Sequence, residues 1–210
     1  MSNYITNLPI NGTFNVTAYY GQENTKYWEN GHKGIDVTGD KTLYSICDGT
    51  VTFQGYDKSW GYYVSVMPNG YDRVRFILCH MVKGSIKVKK GDKVTRTTVI
   101  GTMGTTGNSS GVHTHIECRI DNTAVDPTPY LKIENKKATG LKDTDYKTTV
   151  AESNKIIQQM LDEFDGKNSY KALYEAEKKK NTKLAAKVSE LEAQISALNK
   201  KISDAIDFLK

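Results

Sequence analysis

Long apolar runs are missing from this sequence. No stretch approaches the roughly 18 uncharged apolar residues of a membrane span, and Met1 to Ile10 shows no cationic start followed by an apolar run. Neither a membrane span nor a secretory signal peptide is expected, and the product is expected to be soluble. Cysteine is scarce as well. The 3 that occur, Cys47, Cys79 and Cys118, form no Cys-x-x-Cys pair, which argues against cysteine-based zinc or redox sites and for buried reduced thiols inside strands. Charge of one sign does not dominate: the formal net charge of +5 over 210 residues suits plain solubility or attraction to an anionic surface, and calls for no nucleic-acid partner. What remains is room for one full domain with a substantial core, plus an appendage.

Glycine and proline are unevenly spread, and their distribution divides the chain. Over residues 1–137 short β-rich runs, Thr50 to Phe53, Tyr62 to Met67, Arg73 to His80 and Val94 to Ile100, alternate with turn signals such as Asp48-Gly49, Asn69-Gly70 and Gly91-Asp92. These predict an antiparallel sheet domain. After Tyr130 the chain turns polar and rich in Lys and Thr, and glycine and proline nearly vanish. Val150, Ile156, Ile157, Met160, Leu161 and Phe164 fall at roughly helical spacing before Gly166, which predicts a short amphipathic helix with a glycine C-cap inside a linker over 138–167. Ser169 can cap a second, longer helix within 168–210. The fold class read from this pattern is α+β, an antiparallel β domain followed by a helical, coiled-coil tail.

The tail carries a heptad. Val188, Ile195, Ile202 and Leu209 fall at position a, and Leu184, Leu191, Leu198 and Ala205 at d, with Asn181 one heptad before Val188. β-branched residues at a with Leu at d favour a parallel dimer, and Lys187 at g can face Glu192 at e of a second helix. Packing on the chain's own short helix is the alternative. A strict 3-4 repeat is narrower than the face a globular helix buries, so self-association through residues 184–209 is expected, or docking on a larger partner.

An isolated histidine is more often a core or surface residue than a ligand. Here the 4 histidines stand as His32-Lys33-Gly34-Ile35-Asp36, His80, and His113-Thr114-His115, each inside a polar cluster. His113, His115, Glu117 and Arg119 alternate with apolar or small residues, which places them on one face of a strand. Neighbours at i and i+2 are about 7 Å apart, so one imidazole can bind a metal while the other reaches its water. His32 and Asp36 are too far apart on a straight strand to share an ion, and Gly34 between them can provide a bend. Two imidazoles and one carboxylate are what a catalytic zinc uses, with a fourth position left for a water whose pKa falls to about 7. The remaining histidines suit proton transfer.

These residues also carry a family resemblance. His32-x-x-x-Asp36, His80 at the end of a β run, the stretch Gly101-Thr-Met-Gly-Thr-Thr-Gly-Asn-Ser-Ser-Gly-Val-His113-Thr-His115-Ile-Glu117, and Val125-Asp126-Pro127 before Tyr130-Leu131 resemble the M23 family of zinc endopeptidases, the lysostaphin or LytM type, over roughly residues 15–131. The resemblance implies a compact antiparallel β fold with an open groove and one zinc per chain on His32, Asp36 and His115. It further implies His80 and His113 as the catalytic pair, and bacterial peptidoglycan as substrate. Leu78-Cys79-His80-Met81 stands where the family often has Tyr-Ala-His-Leu, and Ile116 where it often has Phe. These departures leave all five site positions intact and bear on the shape of the groove.

With no signal peptide, a wall-cutting enzyme is expected to be made in a host cytoplasm and released by lysis or carried in a virion, that is, as a phage endolysin or tail-associated lysin. The rival from another class is a structural or regulatory protein whose peptidase-like module is spent and whose coiled coil does the work. Degenerate relatives usually lose metal ligands, and none is missing here. Tyr20-Gly21 matches an aromatic-Gly turn of the family and Tyr27 could reach an oxyanion, although packing is the more ordinary role for both. Glu117 either orients a ligand or is simply solvated. Asn108-Ser109-Ser110 has the form of a glycosylation site, which lacks support without a secretion signal.

Overall fold

Strand alternation and turn chemistry build the first of two compact units, Met1–Leu161 and Asp162–Lys210, in a computed structural model that describes residues 5–23, 28 and 30–208. Its strands are β1 (Ile5–Thr6), β2 (Thr13–Ala18), β3 (Ile35–Thr38), β4 (Thr42–Tyr44), β5 (Gly49–Asp57), β6 (Gly61–Pro68), β7 (Val74–Met81), β8 (Lys93–Val94), β9 (Val99–Thr102), β10 (Thr114–Ile120) and β11 (Thr123–Val125). A short helix α1 (Thr128–Leu131), then β12 (Ala138–Lys142), β13 (Lys147–Thr148) and the long helix α2 (Val150–Phe208) complete the chain.

The main sheet runs β12-β2-β3-β10-β7-β6-β5-β8, with β11 also on β10, and the pairings are antiparallel. β4 pairs with β9, and β1 with β13. One face carries the apolar core. Phe14 and Val16 of β2, Ile35 and Val37 of β3, Phe76 and Leu78 of β7, and Ile116, Cys118 and Ile120 of β10 are all buried there. The Val125-Asp126-Pro127 motif serves this core: Asp126 Oδ1 accepts from Thr128 N at 2.9 Å and from its hydroxyl at 2.7 Å, which starts α1 and sets Tyr130 against Phe76 with ring centroids 4.3 Å apart.

Three expectations change in detail. The run from Val94 to Ile100 is broken by a turn in which Thr98 N donates to Thr95 O at 2.8 Å, so it forms β8 and β9. Cys47 lies in a bend before β5; all three cysteines are free and buried, as expected. The segment read as a linker from 138 is folded. β12 adds an edge strand to β2, and the start of α2 buries Ser153, Ile157 and Leu161 within the first unit. Ser153 Oγ donates to Asn7 Oδ1 at 2.9 Å, and Arg96 Nη1 donates to the same oxygen at 2.8 Å. An edge strand of mostly exposed side chains is held by its backbone ladder, so it leaves little hydrophobic pattern to read.

α2 opens with a capping box that the spacing had not revealed. Glu152 N donates to Thr149 Oγ1 at 3.1 Å and Thr149 N to Glu152 Oε2 at 2.7 Å. The helix passes through Gly166 without the expected C-cap, because one glycine in an exposed helix interior costs only about 1 kcal/mol. In the second unit Leu184, Val188, Leu191, Ile195, Leu198 and Ile202 are all exposed, while Leu209 falls outside the described residues. No described helix is long and apolar enough to cross a membrane.

Candidate metal centre

Antiparallel pairing of β3 with β10 sets His115 directly opposite Asp36. His115 Nδ1 lies 2.9 Å from Asp36 Oδ1 and 2.9 Å from His32 Nε2, and His32 Nε2 lies 3.2 Å from Asp36 Oδ1. His32 reaches this point from the loop before β3, which removes the difficulty of two ligands four residues apart on one strand. Gly34 makes the approach possible through space rather than through unusual backbone angles. A Cβ there would come 2.2 Å from the Ile116 carbonyl oxygen and 2.9 Å from His115 Cε1.

Each imidazole is anchored through one nitrogen, which orients the ring and points the other nitrogen into the cleft. His32 Nδ1 donates to the Tyr19 carbonyl at 3.0 Å, His80 Nδ1 to Thr106 O at 2.8 Å and His113 Nδ1 to Gly111 O at 2.9 Å. His115 is anchored at Nε2, which donates to Glu117 Oε1 at 3.1 Å. Glu117, 2% exposed, is in turn held by Trp60 Nε1 at 3.0 Å and by Arg119 Nε at 2.6 Å. It is therefore a buried partner of His115 and not a solvated carboxylate.

His80 and His113 face each other with ring centroids 4.7 Å apart, and His113 Nε2 lies 3.6 Å from Asp36 Oδ1. His80 holds a left-handed φ of 63°, a conformation a non-glycine residue adopts at a cost and keeps only where its surroundings impose it. The glycine-rich stretch imposes it here. Gly107, at φ +77°, packs so tightly that a Cβ would come 2.2 Å from Gly61 N, and this brings the Thr106 carbonyl onto the His80 ring.

Burial and partners set the charges. Burial opposes a proton on His115, but the hydrogen bonds to Asp36 and Glu117 outweigh it and raise its pKa to about 9 in the metal-free protein. Burial pushes the Asp36 and Glu117 carboxyls up, yet His115 and His32 on Asp36, and His115 and Arg119 on Glu117, bring both below the usual range. Burial lowers His80 to about 4 against the opposing bond to Thr106, so its ring is neutral at pH 7 with Nε2 unprotonated. The five groups line one open cleft of about 610 Å³ together with Trp28, Trp60 and the 108–112 loop.

Residues 30–127 match the model of Peptidase family M23. This stretch of the chain is an M23 peptidase domain. The domain is 31% identical to the DD-carboxypeptidase/endopeptidase Mpg of Neisseria meningitidis serogroup B, over 51% of this chain and 26% of that protein. The chain thus spans about a quarter of the length of the curated relatives it matches first. Among solved structures it resembles the catalytic domain of lysostaphin from Staphylococcus simulans, with a TM-score of 0.52 and 26% identity over 56% of this chain and 92% of that one. A zinc-containing peptidase from Vibrio cholerae matches with a TM-score of 0.50 and 25% identity, over 58% and 38% of the two chains.

Zinc is the metal of the M23 family, and the residues present fit it. Ligand atoms of His32, Asp36 and His115 lie within 4.8 Å of one another, and two imidazoles with one carboxylate form a donor set suited to zinc. All five residues singled out in the sequence meet in the M23 cleft. Cys79, Met81 and Ile116, where the sequence departs from the family, are buried in the core and do not line the groove. Tyr20 donates its hydroxyl to Ala124 O at 3.1 Å and does not line the cleft; Tyr27 lies outside the described residues. Sequence reasoning missed Trp60 and the anchoring carbonyls of Tyr19, Thr106 and Gly111, and it placed Arg119 on the face of His115 without giving it a role. Any residue type can supply a carbonyl, so those three left no signal.

Proposed function

We propose that this protein is a zinc-dependent endopeptidase that hydrolyses peptide bonds of bacterial peptidoglycan, in the stem peptide or the cross-bridge. The observation that carries the proposal is the convergence of His32 Nε2, Asp36 Oδ1 and His115 Nδ1 beside the free nitrogens of His80 and His113. His32, Asp36 and His115 hold the metal. When bound, zinc supplies Lewis acidity toward a substrate carbonyl and acidifies water. His80 and His113 act through Nε2, one taking a proton and the other delivering one or donating to the developing oxyanion. Their Nδ1 bonds to carbonyls keep both rings turned into the cleft. Glu117 holds the His115 ring by its far nitrogen.

The rival, a spent peptidase-like module serving a coiled coil, predicts protein without stoichiometric metal. Metal analysis of the purified chain, followed by mass analysis of digested peptidoglycans of different cross-link chemistry, separates the two. Absence of both zinc and cleavage would leave the rival standing.

The narrower form of the proposal makes the enzyme a phage endolysin or tail-associated lysin, whose residues 184–209 join two chains or dock on a virion. Its support is the heptad of exposed apolar residues in α2. Sedimentation of the purified chain, and a search for the protein in purified virions, test the two parts.

A further inference from the structure

The sheet face that carries His115 and Glu117 continues away from the metal centre as a surface of another kind. Register sets Glu117 opposite Ile77, Ile77 opposite Ser65 and Ser65 opposite Phe53, so these side chains share that face. Two residues further along β10 and back along β7, Arg119 stands directly opposite Arg75. Two residues back along β6, and so on the other side of that row from the two arginines, stands Tyr63. The Trp60 ring joins these groups: it bonds Glu117 from above, meets Tyr63 edge-on at 5.0 Å, and has the Arg119 guanidinium 5.2 Å from its centroid. Phe53 stacks on Tyr63 at 5.2 Å with planes 20° apart. Its ring lies over Gly55, where a Cβ would come within 2.9 Å of it. Trp60 also lines the cleft, so the strip and the cleft are continuous.

The fold does not account for this strip. Phe53 is 46% exposed, although a large apolar ring on a strand gains by burial. Two like charges directly opposite each other weaken a sheet pair. Arg119 is offset by Glu117, whereas Arg75 donates to the carbonyls of Asp72 and Val74, which carry no net charge. Flat rings followed by cations complement a chain of sugar rings, whose C–H faces stack on aromatics, with carboxylates hanging from it.

We propose that the strip of Phe53, Tyr63, Trp60, Arg119 and Arg75 binds the sugar strand of the wall polymer at sugars whose carboxylates carry no peptide, and holds it beside the cleft while the peptide arm of a neighbouring sugar enters. The name of the polymer rests on the peptidase reading above; the binding chemistry does not. The strip gives the enzyme a grip on glycan that is separate from its grip on peptide.

The test titrates the full-length zinc-loaded chain with peptide-free glycan strands, made from peptidoglycan with an amidase, and follows tryptophan emission. Such strands bear free carboxylates on alternate sugars and contain no bond for a peptidase to cut. Saturable binding is expected, weakened about fivefold by Phe53→Ala and by Arg75→Gln. A neutral β-1,4-linked N-acetylglucosamine hexamer should bind the wild type more weakly than the strands, and Arg75→Gln should narrow that gap and reduce the loss of binding in salt. Both substitutions are at solvent-facing positions, and melting curves verify that the variants fold. No saturable signal with the strands, or wild-type binding by both variants, overturns the proposal. Cleavage of cross-linked peptides is measured separately: a chain that cuts them but ignores the strands sinks this inference alone, and one that binds the strands but cuts nothing sinks the peptidase reading alone.

Discussion

The two units break the rule of apolar inside and polar outside in opposite directions. In the sheet unit β10 buries His115 and Glu117 at 6% and 2% exposure, and each is matched by partners: Asp36 and His32 on one side of His115, Glu117 on the other, with Trp60 and Arg119 completing the carboxylate. In the helical unit Leu184, Ile195 and Leu198 stand at 61%, 59% and 59% exposure, with apolar side chains uncovered along a regular seam. Burying polar groups is costly unless they are paired, so paired burial points to chemistry inside the chain. Exposing apolar groups in a row is costly unless something covers them, which is why the seam is the place where the proposed partner of α2 would bind.

The largest effect should come from breaking the buried cluster at its ligands. His115→Ala and Asp36→Ala are expected to abolish stoichiometric zinc and reduce peptide hydrolysis to background. His113→Ala and His80→Ala are expected to keep most of the metal while turnover falls by about 10²–10⁴-fold, the usual worth of a positioned acid or base. Zinc content by atomic emission beside hydrolysis rates is the measurement. Equal zinc loss in all four variants would show that ligands and proton carriers have been misassigned.

The charge state of the cluster sharpens the same contrast. In the metal-free protein His115 is raised to about 9, above an unfolded value near 6.5. Its charged form therefore contributes stability that is full below about pH 6.5 and is lost as pH rises through about 9. If His115 Nδ1 is a ligand as proposed, zinc would displace its proton, so metal affinity should increase with pH until His115 has titrated, and zinc uptake at pH 7 should release a proton. Calorimetry in buffers of different ionisation enthalpy reads that proton directly. Uptake with no proton release would mean that His115 is already neutral in the metal-free protein.

A smaller effect is expected one bond further out. Glu117→Ala should weaken zinc binding by about 10–100-fold, the range found when an outer partner of a ligating histidine is lost, and Glu117→Gln should restore part of it, because the amide oxygen can still accept from His115 Nε2. Competition with a chromophoric chelator measures both. Equal affinity in Glu117→Ala and the wild type would reduce Glu117 to packing.

How far this was legible in the sequence depends on whether a feature is local. The alternation of His113, His115, Glu117 and Arg119 announced their shared face, and β10 bears it out from His115 onward; His113 sits just before the strand, bridged to Gly104. The proposed metal ligands could be grouped because the residue types are chemically rare. β12 and the capping box at Thr149 were overlooked, since an edge strand depends on a distant ladder and a polar Thr-x-x-Glu blends into a polar stretch. Gly34 was read as a hinge, when its role is clearance against β10, a contact between residues 34 and 116 that no local window contains.

The gentlest break is at the seam of α2. If residues 184–209 pair two chains, Ile195→Lys with Ile202→Lys should turn a dimer into a monomer, because cations at two a positions of each helix cannot be buried there without a large penalty. Removing residues 168–210 should do the same by deletion. Hydrolysis of a small soluble peptide should stay nearly unchanged in either case, since His32, Asp36, His80, His113 and His115 all precede the helix. Activity on intact walls should fall by several-fold, because two linked catalytic units act at raised effective concentration on a polymer. Analytical ultracentrifugation of the intact chain decides whether the seam is covered by a second copy. A monomer at micromolar concentration would sink self-association and leave the proposed docking on a different protein, which cross-linking from cysteines placed along the a and d positions tests.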